Sequence, residues 1–195
     1  MNTASNVSTG KPNIAGAVYV APRSAALPTD ATTELGSDYT CLGFVSEDGL
    51  ENENGMDFSQ IKAWGGAIVY RALTEMQDNF SLKLLESENV NVMQVVYGKD
   101  RVKVNGSIVP IGGISGSILP VGGVAIDVAA DTPQELIWVF ELALRGEKKK
   151  RIVIPDGAIT SRETITYNDA DAIVYGITVA AYPDGEGVTH KEYIA

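Results

Sequence analysis

RIVIPDGAITSRETITYNDADAIVYGITVAAY, residues 151–182, is the stretch whose reading decides the fold class. Ile152 and Ile154 flank Val153 and stop at Pro155, and Ile165 and Tyr167 alternate with Thr164 and Thr166. Ile173, Tyr175, Ile177 and Val179 then share one parity against Val174, Gly176, Thr178 and Ala180. A side-chain period of two, rich in β-branched and aromatic residues and broken at Asp156-Gly157 and Asn168-Asp169, predicts three strands of an antiparallel sheet. No nucleophile, base and acid accompany them. The segment reads as one that builds.

Working outward, residues 132–145 carry two signals. Thr132, Pro133 and Glu135 suit a helix start, with Leu136, Val139, Phe140 and Ala143 at helical spacing. Leu136, Trp138, Phe140, Leu142 and Leu144 alternate strictly, however, and Gly146 with the lysines turns into the next strand, so the segment is read as strand. Further upstream, Tyr70, Met76, Phe80, Leu82 and Leu84 share a parity, opposite Arg71, Glu75, Gln77, Asn79, Ser81 and Lys83. That predicts one long strand or a strand pair over 67–85, with one buried face and one wet face. A short strand is expected over 17–21, a loop over 22–38 and a short apolar element over 42–45. Ser46-Glu47-Asp48-Gly49 then reads as a turn into an acidic, Asn-rich loop. The confident helix is 87–97, capped by Ser87 or Asn89 and ended by Gly98. Asn105-Gly106 is a hairpin signal, and Ile108–Ile114 is echoed by Ile118–Val124. The echo predicts an apolar extended hairpin or loop that covers itself on a neighbouring subunit.

Composition narrows the function. A chain of 195 residues, 45% apolar and 21% charged, is one globular domain of ordinary size, here 1–195 with a flexible arm over about 1–13. That arm is polar, without the apolar stretch of a secretory signal. The uncharged run 105–126 matches a membrane span in length, but its glycines and prolines break a helix repeatedly, so the chain reads as soluble with no membrane partner. Cys41 is the single cysteine, which rules out an internal disulfide, and His190 is the single histidine, read as a solvated terminal strand residue. A net charge of −10 argues against nucleic-acid binding as the main activity. Lys148-Lys149-Lys150-Arg151 reads as a solvated turn. A calcium loop around Asn52, Asn54 and Gly55 fails because Leu50 and Ile61 stand where acids are needed. No cofactor or metal is implied.

Five motifs in order then point to a family. Leu42-Gly43-Phe44-Val45 followed by Ser46-Glu47-Asp48-Gly49, and Ile61-Lys62-Ala63-Trp64-Gly65-Gly66, resemble the major tail proteins of long-tailed phages with flexible tails. So do residues 89–98, Lys150–Pro155 and His190-Lys191-Glu192-Tyr193; the likeness departs over 104–127. The resemblance implies a mainly β tail-tube subunit, an antiparallel sandwich or half-barrel with one flanking α-helix, not an enzyme. It implies stacked hexameric rings around a DNA channel, with the tape measure protein and other tail proteins as partners and DNA passing without specific binding. Asp48, Gly49, Trp64, Phe80 and Trp138 are the expected inter-subunit contacts, and Glu75, on the polar parity, is the expected lumen residue. Two other classes compete. One is a virion decoration or receptor-binding β-domain that does not polymerise; the other is a carboxylate-pair glycosidase using acids such as Glu141 and Glu163.

Overall fold

The computed structural model describes residues 7–13, 17–104, 123–130 and 132–195. Among the described residues eleven strands and one α-helix follow in order: β1 (Lys11–Pro12), β2 (Val18–Pro22), β3 (Thr40–Cys41), β4 (Val45–Lys62), β5 (Ile68–Leu84), α1 (Val90–Tyr97), β6 (Val102–Val104), β7 (Val124–Ile126), β8 (Leu136–Ala143), β9 (Lys149–Arg162), β10 (Tyr175–Ala181) and β11 (Lys191–Ile194). The main sheet has the order β3-β2-β8-β9-β10-β5-β4, with β1 added beside β8 and β11 beside β9. Its pairings are antiparallel throughout. β1 also approaches β4, so the sheet curls toward itself without a closing ladder among the described residues. The fold is mainly β and sandwich-like, as the alternating pattern implies. The Asn105-Gly106 signal and most of the Ile108–Val124 echo lie outside the described residues.

The sheet is covered on both sides at its centre. On one side Phe80, Leu82, Leu84, Trp138, Phe140, Ile154, Ile177 and Val179 pack with Val92 and Val96 of α1. Phe80 and Phe140 stack at 5.6 Å between ring centroids, and Trp138 and Phe140 at 6.4 Å. On the other side Ala21, Ile137, Val139 and Val153 pack against Ala25, Leu35 and Tyr39 from the 22–39 loop. β8 is therefore buried on both faces from Leu136 to Phe140. This explains its double signal, because a doubly covered strand is apolar at every position and mimics a buried helix.

The helix runs Val90–Tyr97, with the Asn91 N–H donating to Asn89 Oδ1 at 3.0 Å. Gly98, at φ +100, ends it by donating to Gln94 O. Of the two cap candidates, Asn89 is the one used.

Three expectations are corrected. Residues 46–60 are not a loop: β4 pairs with β5 out to Lys62↔Ile68. The Ser46–Gly49 turn signal is absorbed as a bulge, because the register jumps between Val45 and Leu50, and Gly49 carries the left-handed φ of +80 that such a kink needs. Likewise Pro155 and Asp156-Gly157 do not end a strand, since β9 runs straight through them. The β8–β9 register shifts between Leu136 and Trp138, so Pro155 sits at a bulge, where its missing N–H costs the ladder nothing. Gly157 is required there: a Cβ would come within 2.8 Å of Trp138 Cδ1, whose indole N–H donates to Gly157 O at 3.2 Å. Finally, Thr164–Tyr167 is not a strand. β10 already has β9 and β5 as its two neighbours, and past the Glu163 N–H bond to Gly176 O the segment has no strand to pair with among the described residues.

Candidate assembly surface

β5 has two unlike halves. From Asn79 to Leu84 it lies between β10 and β4, and Phe80, Leu82 and Leu84 are core. From Ile68 to Gln77 its partner among the described strands is β4 alone, and this half of the hairpin is exposed apart from Gly55 and Ala72, which are half-buried. β4 and β5 thus form an arm that leaves the sheet at Asn79 and ends at Trp64-Gly65-Gly66, where both glycines have positive φ.

The faces of the arm follow from its register, because directly opposed residues share a face. Leu50 faces Leu82 and Asn52 faces Phe80 on the core side. That side continues outward through Asn54/Asp78, Met56/Met76 and Phe58/Leu73 to Gln60/Arg71. Arg71 lies over the Phe58 ring at 3.8 Å. The opposite side carries Glu51/Ser81, Glu53/Asn79, Gly55/Gln77 and Asp57/Glu75. One side of the arm is a core stripe lacking its cover, and the other is acidic. A bulge between Asp57 and Phe58 leaves Thr74 out of register, its hydroxyl donating to Asp57 O at 3.1 Å, and this flips the parity beyond it. Tyr70 therefore falls on the acidic side and Arg71 on the apolar one, a reversal of the simple alternation expected over 67–85.

Asp78 marks the root of the arm. It is 2% exposed, and its carboxylate accepts from Asn52 Nδ2 at 2.8 Å and Thr189 Oγ1 at 2.6 Å, with His190 Nδ1 at 2.5 Å. Burial pushes this acid up, but the donors from Thr189, Asn52 and His190 outweigh it and hold it below its ordinary value. The His190 ring also meets Phe80 edge-on at 5.2 Å. The lone histidine is a half-buried partner of a buried acid, not a solvated terminal residue. One sequence signal pointed here. Asp78 is an acid on the same parity as Met76, Phe80 and Leu82, where an apolar residue is expected.

The 22–38 loop is held by a second buried charge. Arg151, 4% exposed, donates to Asp30 O and Thr33 O at 2.8 Å each and pairs with Glu141. The basic run is thus split: Arg151 is core, Lys150 pairs with Glu192 at 2.7 Å, and Lys148 and Lys149 are exposed. The Asp30 carboxylate accepts from the hydroxyl and backbone N–H of Thr33 and from those of Thr32, which holds it well below the usual carboxylate range.

The residues expected at contacts separate into two groups. Asp48, Gly49, Trp64 and Glu75 belong to the hairpin. Asp48 accepts from Lys83 Nζ at 2.9 Å, which lowers the acid and raises the amine, and Glu75 accepts from Gln77 Nε2 at 2.7 Å. Trp64 is 107% exposed at the tip. Phe80 and Trp138 are each 0% exposed and lie inside the protomer core, not on a surface. Glu141 and Glu163 flank opposite ends of β9, one beside Arg151 and the other beyond Arg162, so they are not brought together. Among the described residues no group of three His, Cys, Asp or Glu is placed to hold a metal, and no helix is long and apolar enough to cross a membrane. A cleft of about 710 Å³ lies beside α1, lined by Tyr97, Asp100, Leu136, Trp138, Ile159 and Arg162 among others.

A family model described as phage tail tube protein matches residues 11–194. No protein of curated function matches the chain. Among solved structures, one similar chain is the cryo-EM structure of the anti-feeding prophage cap, the AFP tube terminating cap. It shares 10% identity at a TM-score of 0.41, over 99% of this chain and 98% of that one.

Proposed function

Because the chain belongs to the phage tail tube protein family, and is thus a structural component of the virion tail, we propose that it polymerises as stacked hexameric rings into a tube through which DNA is ejected. The observation that carries this is the arm. Met56, Phe58, Leu73 and Met76 continue the core stripe into solvent. A contiguous apolar face left bare on a monomer marks a protein interface. The outer edge of β4 has unpaired backbone groups among the described residues and offers a second means of joining copies by strand pairing.

In this reading the apolar side of each arm rests on another copy and the acidic side, with Glu51, Glu53, Asp57 and Glu75, is left toward the channel. Repulsion between wall carboxylates and DNA phosphates limits sticking while the genome slides. The tape measure protein and the remaining tail proteins complete the assembly.

Electron microscopy of concentrated purified protein, and of virions, is the test. Rings and hollow tubes with six copies per ring are expected, with Glu75 at the lumen. A strictly monomeric protein at high concentration together with its absence from virion tubes overturns the reading. A lumen lined mainly by Lys and Arg overturns the electrostatic part alone.

A further inference from the structure

Charge is divided between the two ends of the protomer. Leu84 of β5 stands opposite both Val45, where β4 begins, and Tyr175, where β10 begins, so these three strands share one end. β9 reaches the same end, with Arg162 opposite Ile177. The two segments that pass there, 85–89 and the β9–β10 loop over 163–174, hold Glu86, Glu88, Glu163, Asp169 and Asp171 and no cation. The opposite end carries the β8–β9 turn and the arm tip, because β5 and β9 both run antiparallel to β10. There Arg145, Lys148 and Lys149 stand exposed around one acid, Glu147, and the Leu144 N–H holds the turn by donating to Lys148 O at 2.7 Å. The outer arm adds Lys62 and Arg71, with no acid between Asp57 and Glu75. β9 spans 14 residues, roughly 45 Å at about 3.3 Å per residue, so the two ends lie several screening lengths apart and cannot neutralise each other within one chain. Each end also keeps apolar groups in water, Phe44, Leu85 and Tyr167 at the acidic one and Trp64 and Ile194 at the basic one.

We propose that copies stack head to tail, the basic end of one docking on the acidic end of the next, with its β8–β9 turn over the β9–β10 loop. This rests on the tube-subunit reading and names the surfaces that successive rings present to each other. The turn and the loop sit at the two ends of the same strand, β9. A second copy displaced along that strand by one protomer length therefore brings its turn onto the loop of the first. The acids on the acidic side of the arm take no part in this contact and stay toward the channel. Like ends repel and unlike ends attract, so charge selects the polar stack over end-to-like-end pairing. Two different surfaces meeting by displacement make a contact that does not close on itself, which is what a growing tube needs. Charge steers and registers the copies, while the exposed apolar groups at each end supply area to bury.

The test is a charge swap between the two ends, read as the concentration at which tubes form, by sedimentation and electron microscopy. Every variant is first shown to melt like wild type; where one does not, R145E/K148E or E88K/D171K takes its place in the same scheme. K148E/K149E and D169K/D171K are each expected to raise that concentration on the order of tenfold, since each exposed pair contributes a fraction of such a factor. The fourfold variant carrying both is expected to assemble like wild type, because unlike ends meet again. A control of the same net charge, K148E/K149E with E34K/D38K, places its new cations on the 22–38 loop over a face of the sheet and is expected not to recover. Reversals without effect, failure of the fourfold variant to recover, or equal recovery by the control each overturns the head-to-tail docking while leaving tube assembly intact. A wild-type protein that forms no tubes at any salt overturns the function itself.

Discussion

The two halves of β5 share one alternating pattern and behave in opposite ways. Phe80, Leu82 and Leu84 are sealed between β10, α1 and the opposite strands, whereas Met76 and Leu73 stand in water on the same side of the same strand. Alternation reports which face is meant to be dry; only the neighbouring strands decide whether it is dry in the monomer. Where the β10–β5 ladder stops, at Ala180, the protomer stops supplying its own cover. The difference teaches that an apolar stripe without an intramolecular partner is an instruction for assembly.

The largest expected effect lies in the sealed half. Phe80→Ala removes a ring stacked on Phe140 and is expected to cost about 3–5 kcal/mol in urea unfolding of the monomer. A cost under about 1 kcal/mol would erase the contrast between the halves.

Next comes the boundary. Asp78→Ala leaves Asn52, Thr189 and His190 without their shared acceptor, and a loss of about 1–3 kcal/mol is expected. Because the folded carboxyl lies below its ordinary value of 3.8, its contribution is present above that value and is lost as pH falls through the folded one. Urea midpoints taken between pH 6 and pH 2 should therefore drop below about pH 4 in wild type, and drop less in Asp78→Ala. Equal slopes would mean that the knot is not what acid releases.

In the bare half, Phe58→Ser with Leu73→Ser is expected to shift monomer stability by no more than about 0.5 kcal/mol, as surface changes do, and to abolish tubes. Loss of monomer stability comparable to Phe80→Ala would show that the stripe is already covered within the chain. Smallest of all, Lys83→Gln breaks a solvent-screened contact with Asp48, and no measurable change in the monomer melt is expected.

Where the chain covers its own residues, the sequence was legible. The β10 alternation, the Asn89 and Gly98 caps and the strand at β8 are all found as read. Two kinds of feature were not. Pro155 and Gly49 are turn residues by local chemistry, but a bulge uses the same φ values and the same missing donor as a turn, so the strands that continue through them looked like ends. Thr164–Tyr167 has strand composition, yet pairing needs a vacant neighbour that composition does not encode. The site divided in the same way. Of the residues expected at contacts, Trp64 stands exposed at the arm tip, whereas Phe80 and Trp138 are internal. Arg151 looked like part of a wet turn because its partners, Glu141 and the carbonyls of Asp30 and Thr33, are distant in sequence. Asp78 alone left a trace, as an acid on an apolar parity.

The two tryptophans give this architecture its own optical readout. Trp138 is 0% exposed in the core and Trp64 is 107% exposed at the arm tip. Trp138 contributes blue-shifted fluorescence that is quiet toward added quencher, and Trp64 contributes red-shifted emission open to it. If the arm docks, only the second component moves, turning blue and losing its quenching, while the first serves as an internal standard. Polymerisation can then be followed in solution, without a label, by the ratio of two signals from one chain.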